Sequence, residues 1–175
     1  MPAYHITGPS GSGKSTVGRV LQQQGFRVIE TDFEDDLSDW FDTQTHERVT
    51  EMPKQPYPKE WAATHRWFWD ASRMSELLDS VGDEPVFFCG GANNEGDFWN
   101  SFRLHLGLCV DGPTLKKRLQ PREPERWVDG SAELKRNLEW NEKFRQVCIA
   151  TGTIVIDSLV SPDIVADTIL RHVQN

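Results

Sequence analysis

One lysine stands among glycines and serines in GPSGSGKST, residues 8–16, directly after the apolar stretch AYHIT. In the spacing Gly8-x-x-x-x-Gly13-Lys14-Ser15, successive backbone N–H groups can turn to one side and make a nest for an anion. Glycine lets the backbone come close to that anion, and a helix starting there adds the positive end of its dipole. Lys14 would reach the outer phosphates of a nucleoside triphosphate, and the Ser15 hydroxyl would ligate Mg²⁺. Gly8, Pro9, Ser10, Gly11, Ser12, Gly13, Lys14, Ser15 and Thr16 are read as the nucleotide-binding set.

A second cluster follows in FRVIETDFE, where Asp32 lies just past a strand-like run and Glu34 two residues on. A carboxylate at that place can hold a Mg²⁺-bound water or take the proton of an attacking hydroxyl. Asp32 is therefore both a catalytic and a metal-site candidate, the latter with Ser15. The third apolar run, VFFC, ends without the acid that motor-type NTPases place on Mg²⁺. That absence points to transfer onto a small molecule, with Asp32 in the acid's place.

Alternating strands and helices must position these residues. Apolar runs predict strands at 3–7, 26–30, 85–90, 105–110 and 153–157. Helices are predicted at 15–24, 59–81, near 95–103, from 112 to about 120, 131–151 and from 162 onward. Ser161-Pro162-Asp163 starts the last as N-cap, N1 proline and first-turn acid. The alternation predicts an α/β fold, a five-stranded parallel sheet in the order 2-3-1-4-5 with helices on both faces. One domain over 1–175 is expected. Residues 33–81, broken by Pro53, Pro56 and Pro58, form an insertion, and 121–130 is a charged loop not expected in the core.

The phosphate-binding loop, the Asp-x-Glu after strand two and Gly90-Gly91-Ala92 after strand three resemble the small P-loop kinases, above all the shikimate and gluconate kinase branch, with adenylate kinase more distant. The resemblance implies a P-loop NTPase fold, ATP and Mg²⁺ as cofactors, and phosphoryl transfer to a small-molecule hydroxyl. It implies that Arg118 in TLKKRL stacks on adenine, with the loop around Ser158 on the other face of the base. It implies a lid at 121–130 whose Arg122 and Arg126 close over the phosphates, and an acceptor contact from Arg136. Gly90 and Gly91 would line the acceptor pocket beside Glu34. The insertion lacks the Phe-Arg-x-x-Glu signature of a shikimate kinase, so shikimate is not the expected acceptor.

The chain has seven tryptophans. On a helix over 59–81, Trp67 falls on the core stripe with Ala71, Met74, Leu78 and Val81, whereas Arg66, Trp69 and Arg73 share another face. That face is read as acceptor-binding, with Asn93 and Asn94 as further hydrogen-bonding candidates. Trp99 and Trp140 are read as packing residues, His5 as a core histidine, and His46 and His105 as lacking partners at metal spacing. The net charge of −8 argues against a nucleic-acid partner. No apolar run approaches the ~20 residues of a membrane span. Three widely spaced cysteines read as reduced core thiols, so a cytoplasmic monomer or homodimer is expected. The alternative class is a nucleotide-binding regulatory protein or NTPase without an acceptor.

Overall fold

A computed structural model describes residues 2–54, 57–124 and 126–174; Gln55 and Pro56 of the insertion and Glu125 of the 121–130 segment lie outside them. The centre of the molecule is β1 (Ala3–Thr7), buried at all five positions. Its neighbours are β5 (Val86–Cys89) and β6 (Leu104–Cys109), with β2 (Arg27–Glu30) and β7 (Ile154–Asp157) at the edges. All four pairings are parallel, in the order β2-β5-β1-β6-β7. Counted among the parallel strands alone, this order is 2-3-1-4-5. The labels run higher because the insertion contributes two strands of its own.

Side chains alternate across β1. Tyr4 and Ile6 join a cluster with Val17 and Leu21 of α1 (Lys14–Gln23) and Val165, Ile169 and Val173 of α6 (Pro162–Gln174). On the opposite face, Ala3, Ile29 and Phe88 pack with Met74, Leu77 and Leu78 of α3 (Ala71–Asp79). Helices thus cover both faces, as a parallel sheet requires. His5 also points to the α3 side. Its Nε2 lies 3.2 Å from the Gly90 carbonyl, and burial holds its pKa down at about 3, so it is neutral. Cys89, Cys109 and Cys148 are buried and free. Among the described residues no helix is long and apolar enough to cross a membrane.

The helix expected over 59–81 is three elements: α2 (Lys59–Thr64), β4 (His65–Trp69) and α3. The run HRWFW carries three adjacent aromatics, residues that favour a pleated, half-buried surface over a helix. β4 pairs antiparallel with β3 (Ser38–Asp42), with Trp40 opposite Trp67. The other edge of β4 is held by two asparagines. Trp67 N donates to Asn93 Oδ1 at 3.1 Å, and Trp69 N donates to Asn94 Oδ1 at 2.9 Å. Asn94 Nδ2 returns a bond to Trp69 O at 2.9 Å, and Asn93 N one to Trp67 O at 2.8 Å. Asp70 then caps α3 through Arg73 N. The region expected as a helix near 95–103 is a 3₁₀ helix, Glu95–Ser101. The remaining helices are α4 (Gly112–Leu119) and α5 (Ala132–Thr151).

Asn94 satisfies both backbone groups of a buried residue, so Asn94→Ala should destabilise the protein by about 2–4 kcal/mol in urea unfolding. Asn93→Ala, whose side chain takes only the Trp67 N–H, should destabilise it less. Equal, negligible losses would show that the asparagine clip does not hold the hairpin.

Candidate functional site

The turn between β1 and α1 builds the first wall of a cleft of about 880 Å³. Gly13 caps α1 with φ 109°, a left-handed conformation that suits glycine. Lys14 Nζ reaches back across the turn and donates to Gly8 O at 2.7 Å and Pro9 O at 3.3 Å. Burial lowers the Lys14 pKa, and the Asp32 charge opposes that shift. Ser10 through Thr16 all line the cleft.

Asp32 stands across from this loop, past the end of β2. It is open to the cleft, yet protein packed around it raises its pKa above the ordinary carboxylate range. Lys14 and a 3.3 Å hydrogen bond from Trp67 Nε1 pull the other way. Gly90 makes room beside it: a Cβ there would fall 1.8 Å from Thr31 Oγ1 and 3.3 Å from Asp32 Oδ1. Gly91 lines the cleft itself.

A third carboxylate was not legible in the sequence. Glu95 Oε2 accepts from Thr7 Oγ1 at 3.4 Å, behind Gly91. Burial raises its pKa, and the Lys14 charge partly restores it. The signal for it was only an acid opening a short helix, which any N-terminal turn favours. Among the described residues no group of three or more His, Cys, Asp or Glu could cage a metal ion. Ser15 and Asp32 supply two hard oxygens in one cleft, a set that fits Mg²⁺, which keeps waters and takes phosphate oxygens rather than a full protein cage.

Arg118 projects from α4 and is pinned at both sides of the cleft. It donates to Ser12 O at 3.3 Å and Ser158 O at 2.8 Å. Arg122, Arg126 and Ser158 also line the cleft. The 121–130 segment was not expected to enter the core, but Trp127 is 3% exposed and packs with Leu115, Leu119 and Leu134. Tryptophan area outweighs the charged neighbours there. Arg126 lies 4.6 Å over the Trp127 ring and pairs with Glu123.

Several acceptor candidates lie elsewhere. Trp69 is 2% exposed and packs against His5 and Phe98, away from the cleft. The helical stripe puts Trp67 in the core and Trp69 at the acceptor. On β4 the two share a side of the strand, and it is Trp67 that reaches the cleft while Trp69 lies deeper in the core. Arg66 donates to the carbonyls of Ala62, Ala63 and His65. Arg73 binds Glu34 at 2.9 Å and Glu76 at 3.2 Å. Glu34 opens onto a shallower depression with Ser15 and Arg122. Arg136 stands 3.9 Å from the buried Glu133 and is not among the cleft-lining residues. Asn93 and Asn94 brace β4.

On the insertion side the cleft is lined by Trp40, Tyr57 and Trp67, with Phe33 also lining it. The Trp40 ring lies 5.9 Å from Trp67 at 66° and 5.5 Å from Tyr57 at 73°. Tyr57 N donates to Glu133 Oε1 at 3.0 Å, which ties this corner to α5.

A phosphate-binding loop after the first strand, an acid after the second and arginines over the cleft on this sheet order define the fold of the small P-loop kinases. The chain belongs to the AAA domain family, whose model matches residues 5–134. A gluconokinase from Sinorhizobium meliloti superposes with a TM-score of 0.55 at 18% identity, over 98% of this chain and 91% of that one. A shikimate kinase from Acinetobacter baumannii in complex with shikimate superposes at 0.61 and 17%, over 99% and 93%. A deoxyadenosine kinase from M. mycoides with bound dATP does so at 0.56 and 15%, over the full length of both. No curated protein sequence matches the chain.

If Arg118 stacks on the base, as the resemblance implies, Arg118→Ala should weaken ATP binding by about tenfold in calorimetry through loss of a stacking cation. Unchanged affinity would remove Arg118 from the base site.

Proposed function

We propose that this protein is an ATP-dependent phosphotransferase that moves the γ-phosphoryl group of ATP onto a hydroxyl of a small molecule. In this reading 1–175 is one kinase domain, with 33–81 as the acceptor-binding insertion and 121–130 as the lid. The observation that carries it is the convergence of Lys14 and Asp32 on one cleft, where each charge shifts the other's pKa.

The loop N–H groups and Lys14 hold the β- and γ-phosphates. Asp32 orients the acceptor hydroxyl and takes its proton as the oxygen bonds to the γ-phosphorus and the bond to the ADP oxygen breaks. Arg122 and Arg126 stand over the cleft, where cations stabilise the charge spread on the moving phosphoryl group. When bound, Mg²⁺ held by Ser15 and Asp32 would neutralise phosphate charge. The fold relatives are kinases named for gluconate, shikimate and deoxyadenosine, which supports transfer to an alcohol.

Lys14→Ala should abolish transfer and weaken ATP binding; turnover at the native rate would remove the loop from the chemistry. Asp32→Asn should leave ATP affinity nearly unchanged while turnover falls by about two orders of magnitude or more. Because Asp32 works ionised and its pKa is raised, turnover should fall on the acid side at a pH above the ordinary carboxylate value of about 3.9. Trp67→Phe removes a hydrogen bond that lowers this pKa, so it should move the acid limb further up. An acid limb that Trp67→Phe leaves in place would assign it to another group. ADP release that no added alcohol speeds would point instead to an acceptor-free NTPase.

A further inference from the structure

We infer that the acceptor is an uncharged alcohol built on a flat ring, the class to which nucleosides belong, seated with its ring in the Trp40–Tyr57–Trp67 corner and its hydroxyl at Asp32. This rests on the phosphotransferase reading and narrows its substrate. Two independent features of the cleft lead to it.

The first is charge. On the insertion side the described lining residues are Asp32, Phe33, Trp40, Tyr57, Trp67 and Gly91, none of them cationic. The three arginines of the insertion are committed to other partners. Arg48 pairs with Asp36 and Asp39, Arg66 holds the last carbonyls of α2, and Arg73 pairs with Glu34 and Glu76. None of the three lines the cleft. The cations that do, including Lys14, Arg118 and Arg122, belong to the loop–helix unit and the α4–lid side. A carboxylate or phosphate carried on the acceptor's ring would sit in the aromatic corner beside Asp32 with no insertion cation to pair it, and an unpaired anion there is disfavoured.

The second is shape. Trp67 and Tyr57 stand at 66° and 73° to Trp40, so the three rings form walls rather than a stack. A flat ring can lie against one face and meet the next wall edge-on, the two arrangements that aromatic pairs favour. The corner is also directly next to the acid, since Trp67 Nε1 is 3.3 Å from Asp32 Oδ1. A ring lodged there leaves a pendant hydroxyl within reach of the carboxylate.

The test is run on the full-length protein with Mg²⁺ and a non-hydrolysable ATP analogue, titrating purine and pyrimidine nucleosides, gluconate, shikimate and ethanolamine while following tryptophan fluorescence. The same compounds are then incubated with Mg-ATP, and phosphorylated products are sought by mass. A nucleoside should quench fluorescence and gain one phosphate. Trp40→Ala should raise its dissociation constant about tenfold or more, as loss of a stacking face does. Trp40→Phe should restore most of the affinity, and neither variant should change ATP binding. Nucleoside binding that depends on Trp40, without any phosphorylated product, would uphold the ring site and sink the phosphotransferase reading. Phosphorylation of gluconate, shikimate or ethanolamine alone, indifferent to Trp40→Ala, would overturn the inference and leave the phosphotransferase reading intact. If folded protein binds no uncharged ring compound, the inference also fails.

Discussion

The cleft is organised by one electrostatic constraint: a lysine and a carboxylate of opposite charge face each other where the packed protein disfavours both charges. Desolvation pushes Lys14 and Asp32 each toward its neutral form, and each charge opposes that shift in the other. The pair can be so placed only because β1 and β2 deliver their C-terminal ends to the same edge of the sheet, separated by β5. The strand order is therefore an electrostatic device as much as a packing solution. Gly90, at the end of the strand between them, leaves the volume that Thr31 and Asp32 need.

The parts of this arrangement that are local were legible in the sequence. The spacing around Lys14, the apolar run of β5 and the cap at Ser161-Pro162 each carry their own instructions within a few residues. The parallel sheet followed from the alternation of such segments. What escaped was decided by contacts across the chain. The stretch 59–81 has a helical stripe, and Met74, Leu77 and Leu78 are buried on a helix as that stripe requires. Upstream of Asp70 the pairing with β3 and the clip from Asn93 and Asn94 override it. Those partners lie more than twenty residues away in sequence, so no local period reports them.

The same reason explains the misplaced tryptophans. A helix turns 100° per residue and a strand 180°, so Trp67 and Trp69 separate on a helix but share a face on a strand. On β4 both face the body of the protein, and depth divides them: Trp69 reaches the core below His5, and Trp67 stops at the cleft. The aromatic run HRWFW, with its opposite number SDWFD, was the signal that would have found the hairpin. Glu95 escaped for a different reason. An acid in the first turn of a helix is common, and only the fold brings it behind the phosphate-binding loop.

The burial of Trp127 bears on how the 121–130 segment can move. Its ring is seated between α4 and α5, among Leu115, Leu119 and Leu134, while Arg122 and Arg126 on either side of Glu123 face the cleft. A strip fastened near its middle cannot swing as a free flap. The indole ties it to α4, the helix that also carries Arg118. Arg118, Arg122 and Arg126, which all line the cleft, are thus carried on chain that one buried indole fastens to the α4–α5 core.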